Sequence, residues 1–128
     1  MAAIDEIVFH QLLGWHHFFD RATPAIGLLS DGLLHSAELI ILVAGFFMLA
    51  RLRERQAWAR GWGLAGLFLG AGGFQLFDGI VDHKLLRVHQ VRYVDNLIVY
   101  DIAWNAGAIL LIVTGWLPLR HARASHPA

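Results

Sequence analysis

Three long apolar runs divide the chain. Residues 33–50 read LLHSAELIILVAGFFMLA, residues 61–81 read GWGLAGLFLGAGGFQLFDGIV, and residues 97–119 read LIVYDIAWNAGAILLIVTGWLPL. At 1.5 Å per residue, runs of roughly 18–23 residues cross a hydrocarbon core of about 30 Å. Ser30 and Asp31 stand just before the first run as N-caps. The pattern predicts transmembrane helices over 31–50, 61–83 and 97–119, and a short N-terminal His-motif helix within residues 1–20. The expected fold is an all-α integral membrane protein: three transmembrane helices plus a short interfacial or partial helix, a truncated four-helix bundle. A single membrane domain covers 1–128, and 120–128 is expected to be a cytoplasmic tail. Soluble helices of this kind would need a covering layer that 128 residues do not supply.

Charge orients the bundle. The loop 51–60 carries Arg51, Arg53, Arg55 and Arg60, and the tail carries Arg120 and Arg123. Both lie on one side if each run crosses once, and basic loops favour the cytoplasm. Segments 1–30 and 82–96 then face outward. Nine of the ten acidic residues, all but Glu54, and six of the eight histidines fall in or beside that outward half. His121 and His126 sit in the tail and carry no role. Zero formal net charge leaves a nucleic-acid partner without electrostatic support. The absence of cysteine removes disulfides, thiolate metal sites and Cys nucleophiles. Acidic Asp5 and Glu6 stand where a signal peptide needs basic residues, and no cleavage site follows. No phosphate loop, nucleophile elbow or HExxH motif is present.

An internal repeat lies across the outward half. Residues 7–17, IVFHQLLGWHH, match residues 80–90, IVDHKLLRVHQ, at an offset of 73. With Asp5 recurring as Asp78, both copies read D-x-I-V-x-H-x-L-L-x-x-H. A spanning helix (61–81) precedes the second copy, whereas only Met1 to Ile4 precede the first. Either the chain starts late or residues 4–19 form a short helix in the outer interface, bent at Gly14, with Trp15, Phe18 and Phe19 at headgroup level.

The strings VFHQLLGWHH, LSDGLLH, FDGIVDHKLLRVHQVR and YDIAWN resemble the bacterial membrane family catalogued as domain of unknown function 2243. The resemblance runs from about Asp5 to Trp116. It implies a four-helix membrane fold with a glycine-rich helix ahead of the first His motif, a helix largely missing from this sequence. It also implies a multi-pass protein of the bacterial inner membrane, and the charge bias above puts its C-terminus in the cytoplasm.

Polar residues recur at one depth. Asp31, His35 and Glu38 share a helix face at i, i+4, i+7. Asp78 and Asp82, with His83 beside them, lie near the outer end of the second run. Asp101 and Asn105 lie near that of the third. Each charge at a helix centre costs roughly 2.5–3.5 kcal/mol, so these groups must pair, share protons, reach water or bind a cation. Imidazole with carboxylate is the ligand set of zinc, copper and non-haem iron. The leading expectation is a transition-metal site near the extracytoplasmic face. Its ligands are expected to be His10, His35 and His83, then Glu38 and Asp78. His16, His89, Asp82, Asp101 and Asn105 are alternative ligands or partners that fix the ligand rings. Such a protein would act in metal handling, metalloenzyme assembly or redox chemistry, and whether it is an enzyme stays open.

Blander readings compete. His16, His17 and His89 can be solvated at the interface. His35 and His83 can hydrogen-bond to Asp101 or Asp78 without metal. Asp31 reads as a cap, and Arg87 and Arg92 can pair with the carboxylates. The protein would then be a structural or interaction subunit with a hydrogen-bonded polar layer. A third reading is a b-type haem held by His35 and His83. The lipid bilayer is the expected surrounding. The Gly-rich stretch 61–73, with Gly66 and Gly70 as G-x-x-x-G, reads as a packing face within the chain or toward a homo-oligomer or membrane partner.

Overall fold

The computed structural model describes residues 1–125. In chain order the elements are α1 (Ala2–Asp5), π1 (Glu6–Leu12), α2 (Pro24–Glu54), α3 (Arg60–Phe77), π2 (Asp78–Leu85) and α4 (Leu97–Ser125). Three helical stretches, Pro24–Glu54, Arg60–Leu85 and Leu97–Ala124, are long and apolar enough to cross a membrane. With the short N-terminal segment they make the expected all-helical architecture, and no strand occurs among the described residues.

The helices run further than the apolar runs. Proline at the first helical turn of α2, behind the extended backbone of Thr23, starts that helix at Pro24, because proline lacks the N–H that a first turn leaves unpaired. Ser30 and Asp31, expected as caps, therefore lie two turns inside α2. At the other end, α4 passes Pro118 and continues to Ser125. The stretch expected as a tail is thus helical over 120–125, and His126 lies outside the described residues.

α3 and α4 form the packed pair. A Cβ on Gly72 would meet the Ala108 carbonyl oxygen at 2.7 Å, and one on Gly115 would meet the Leu69 nitrogen at 2.8 Å. Only hydrogen at these positions lets the two backbones approach so closely. Higher in the seam, Trp104 Nε1 donates to Gln75 O (3.0 Å), and Gln75 Nε2 donates to Trp104 O (2.8 Å). Two buried polar side chains are thereby satisfied by each other's backbone. Gly66, Gly70 and Gly73 lie outside this seam, with nothing within 4 Å of the place a Cβ would take. α2 is barer still. Leu39, Ile40, Ile41, Phe46, Phe47 and Met48 are all exposed in the single chain, the surface a bilayer covers.

The interior is inverted relative to a soluble domain. The buried apolar side chains are Ala65, Val91, Trp104 and Ala108, whereas ten buried residues are polar or charged. Most of those ten gather around the two π-helical segments, where the sequence repeat lies.

Candidate metal centre

Each copy of the repeat widens into a π-helix at its acidic residue. In an α-helix a residue and its fifth neighbour point about 140° apart, but the i→i+5 turn of a π-helix brings them to one face. The spacing Asp5–His10 and Asp78–His83 therefore becomes a same-face pair. Both segments end alike. Leu13 N donates to Val8 O, as Leu86 N donates to Val81 O, and Trp15 N to Phe9 O, as Val88 N to Asp82 O. The chain then turns through a positive φ at Gly14 (57°) and at Arg87 (53°). Every one of these pairs sits at the offset of 73.

The turns place a second histidine of each copy against the other copy. His16 Nδ1 donates to Val91 O (3.0 Å), and His89 Nδ1 donates to Phe18 O (2.9 Å). The two rings stack with centroids 4.6 Å apart and planes 3° from parallel. His10 packs edge-on to His16 at 4.4 Å, and His83 edge-on to His89 at 4.7 Å. All four rings belong to residues at most 5% exposed.

A carbonyl only accepts, so Nδ1 of His16 and of His89 must carry the proton. Their Nε2 atoms are left as lone pairs, and both are buried without a hydrogen-bond partner among the described residues. His10 Nε2, both nitrogens of His83 and Asp78 Oδ2 are also buried without one. The carboxylates stand beside them. Asp78 Oδ2 lies 3.1 Å from His83 Nε2, and Asp78 Oδ1 lies 3.4 Å from His89 Nε2. Asp5 Oδ2 lies 3.7 Å from His10 Nε2. The donor atoms of Asp5, His10 and His16 lie within 4.8 Å of one another, as do those of Asp78, His83 and His89.

Around the first copy lies a further ring of acid. His10 Nδ1 faces Glu6 Oε2 and, at 3.2 Å, Asp31 Oδ1. Asp31, 1% exposed, also accepts from His17 Nδ1 (2.6 Å) and from Phe18 N (2.7 Å). Its place inside α2 thus holds the whole turn after π1. A carboxylate behind a ring nitrogen orients the imidazole and raises the basicity of the opposite nitrogen.

Electrostatics follows from burial. Burial and the neighbouring Asp78 push the Asp5 carboxyl up to about 7. Burial and the surrounding imidazoles push His16 down to about 2, and burial lowers His10 as well. At His89 burial opposes the charged ring, but Asp78 outweighs it and the pKa rises.

The structure places His10 in the first group and His83 and Asp78 in the second, with His16 and His89 beside them in those groups. Asp5, visible in the sequence only as part of the repeat, completes the first group. His35 and Glu38 lie outside both groups. The His35 side chain is 44% exposed with Nδ1 3.2 Å from Glu6 Oε1, and the carboxylate oxygens of Glu38 are buried without a hydrogen-bond partner among the described residues. Asp82 is buried within π2. Asp101 pairs with Lys84, and Asn105 Nδ2 donates to Asp101 O (2.8 Å). Arg92 lies over the rings of Trp15 and Tyr100, away from the carboxylates. The signal for Asp5 and for the inner histidines is the repeat itself.

The fold and the site define a helical membrane protein with an imidazole and carboxylate cluster enclosed where its two π-helical segments meet. The chain belongs to the family described as predicted membrane protein DUF2243, whose pattern covers residues 1–122. No curated protein and no solved structure matches it.

Proposed function

We propose that this chain is a membrane protein that binds a transition metal, copper, zinc or iron, through the histidines and carboxylates of its repeat. One observation carries the reading: four enclosed imidazoles keep Nε2 lone pairs or unpaired nitrogens turned toward carboxylates, while Nδ1 of His16 and His89 is spent on backbone carbonyls. Fixing one ring nitrogen and leaving the other bare is how proteins present histidine to a metal. Leaving so many buried polar atoms unsatisfied is costly unless something binds them, at about 1–3 kcal/mol each. A hydrogen-bonded structural layer would have satisfied them. For a haem, the 4.6 Å between the stacked His16 and His89 rings leaves no room for a macrocycle, and half-exposed His35 is turned toward Glu6.

The arginine-rich end, with Arg51, Arg53, Arg55, Arg60, Arg120 and Arg123, faces the cytoplasm on the basic-loop rule, which puts the cluster near the extracytoplasmic face of a bacterial inner membrane. A metal there serves metal handling, assembly of a metalloenzyme or redox chemistry. Elemental analysis of protein purified in mild detergent tests the reading. Stoichiometric metal is expected in the wild type and in His35→Ala, with loss in His83→Ala and His10→Ala. Wild-type protein that takes up no copper, zinc or iron sinks the proposal.

A further inference from the structure

Resting on that reading, we infer that the cluster takes two metal ions per chain, one for each copy of the repeat. The first is held by Asp5, His10 and His16, the second by Asp78, His83 and His89.

Three observations support two ions over one shared ion. First, the donor atoms segregate by copy. Asp5, His10 and His16 all come from the first copy, and Asp78, His83 and His89 all from the second. A further tight group, Glu6, His10 and Asp31, joins the first copy to α2. Among the described residues no such group mixes the two copies, as a single central ion would require.

Second, the spacing within each copy suits an ion. Metal–nitrogen and metal–oxygen bonds of about 2.0–2.2 Å hold neighbouring ligands of a tetrahedral ion about 3.4 Å apart. The Asp78 contacts to His83 (3.1 Å) and His89 (3.4 Å) already lie near that value, and Asp5 to His10 (3.7 Å) is a few tenths longer. Between the copies only the stacked His16 and His89 rings come as close, at 4.6 Å, whereas His10 and His89 centroids are 6.0 Å apart and those of His16 and His83 6.5 Å.

Third, charge favours it. Asp5, Glu6, Asp31, Asp78 and Asp82 are five buried carboxylates, with no buried Lys or Arg among the described residues. Buried acids without compensating cations are expensive. With all five ionised, one divalent ion leaves most of that charge uncompensated, whereas two nearly balance it. The same acids screen the two cations from each other. The two groups meet at the stacked rings of His16 and His89, each tied by Nδ1 to the opposite copy, so that neither group forms without the other's backbone.

Cobalt(II) titration of the detergent-purified full chain, followed by its visible ligand-field bands and by elemental analysis, tests this. Two equivalents are expected in the wild type. One is expected in the near-isosteric double variant Asp5→Asn/His10→Gln, and one in Asp78→Asn/His83→Gln. Circular dichroism of each variant checks that its helices are intact, and the wild-type count decides even if a variant unfolds. One equivalent in the wild type overturns the two-ion inference and leaves the metal reading standing. Loss of all cobalt from either folded variant assigns the donors to one shared centre and also overturns it. No binding of cobalt, copper, zinc or iron overturns both.

Discussion

At the register where the first copy of the repeat has Glu6, the second has Gly79, and where the helix after the first copy has Asp31, the helix after the second has Trp104. Everything between is nearly the same: the π-turn, the positive φ and the exchanged Nδ1 bonds. The two substitutions belong together. Beside Trp104 there is no space for a side chain at 79, since a Cβ there would meet Trp104 Cδ1 at 2.8 Å and Asn105 Oδ1 at 2.7 Å. Beside the smaller Asp31 a glutamate fits, and both acids reach His10 Nδ1. The first copy is therefore fastened to its following helix by charge, and the second by packing. One consequence concerns the imidazoles. His10 has carboxylates behind it, whereas His83 Nδ1 has no hydrogen-bond partner among the described residues. The two metal positions should differ in ligand basicity even though their donor residues are the same.

The largest effects should come from removing these two fastenings. Asp31→Ala leaves His17 and the Phe18 N–H without their acceptor and His10 Nδ1 with Glu6 alone, and breaking a buried pair of this kind costs roughly 3–5 kcal/mol. Trp104→Ala removes a buried aromatic from the α3–α4 seam, at a similar cost of about 3–5 kcal/mol. Thermal unfolding in detergent should show both losses. Metal affinity separates them. Asp31→Ala should weaken binding about 10–100-fold, the usual effect of losing a partner behind a ligand histidine, whereas Trp104→Phe should leave affinity nearly unchanged. Equal losses of affinity in the two variants would mean that the copies are not fastened differently.

A smaller effect sharpens the packing side of the contrast. Gly72→Ala forces a Cβ onto the Ala108 carbonyl, which is backbone and cannot swing aside. Overpacking of this sort costs about 1–3 kcal/mol. Gly70, two residues away, meets nothing within 4 Å, so Gly70→Ala should be neutral or stabilising by up to about 1 kcal/mol, the helix-propensity gain. If Gly70→Ala instead disturbs the protein, the cause must lie outside the chain, and the oligomeric state measured by light scattering would show it.

The bilayer-scale features were legible because they rest on length and hydropathy alone. Three apolar runs give three long helices, and the repeat at offset 73 survives as repeated backbone geometry. The site was legible only in part. Reading along an α-helix favours i, i+4 partners, which makes Asp31, His35 and Glu38 a face and passes over Asp5 with His10. The π-turns change that register, and a π-turn has no simple sequence signature. Asp31 looks like a cap because it stands next to Ser30 before the apolar run. Pro24 starts the helix two turns earlier, which turns the same carboxylate inward. The direction of His35 is likewise set by tertiary context, since the half of its ring not against Glu6 is open.

The smallest effect tests whether the two copies are the same turn. Gly14 and Arg87 occupy equivalent positions with φ of 57° and 53°. Left-handed backbone costs a residue with a Cβ roughly 1–2 kcal/mol, and glycine almost nothing. Arg87 therefore carries strain that Gly14 does not. Its side chain recovers part of it, since Nε donates to Lys84 O at 3.4 Å, a long and weak bond. Arg87→Gly should stabilise the protein by about 0.5–1 kcal/mol, and Gly14→Ala should destabilise it by about 1 kcal/mol. No other contact is at stake at Gly14, where a Cβ would meet open space, so the change there reads backbone conformation alone. Matched denaturation of the two variants with bound metal and without it should give these opposite signs in both states. A stabilisation by Arg87→Gly that vanishes when metal is present would mean that the second turn relaxes on binding, and the two copies would then be alike only in the metal-free chain.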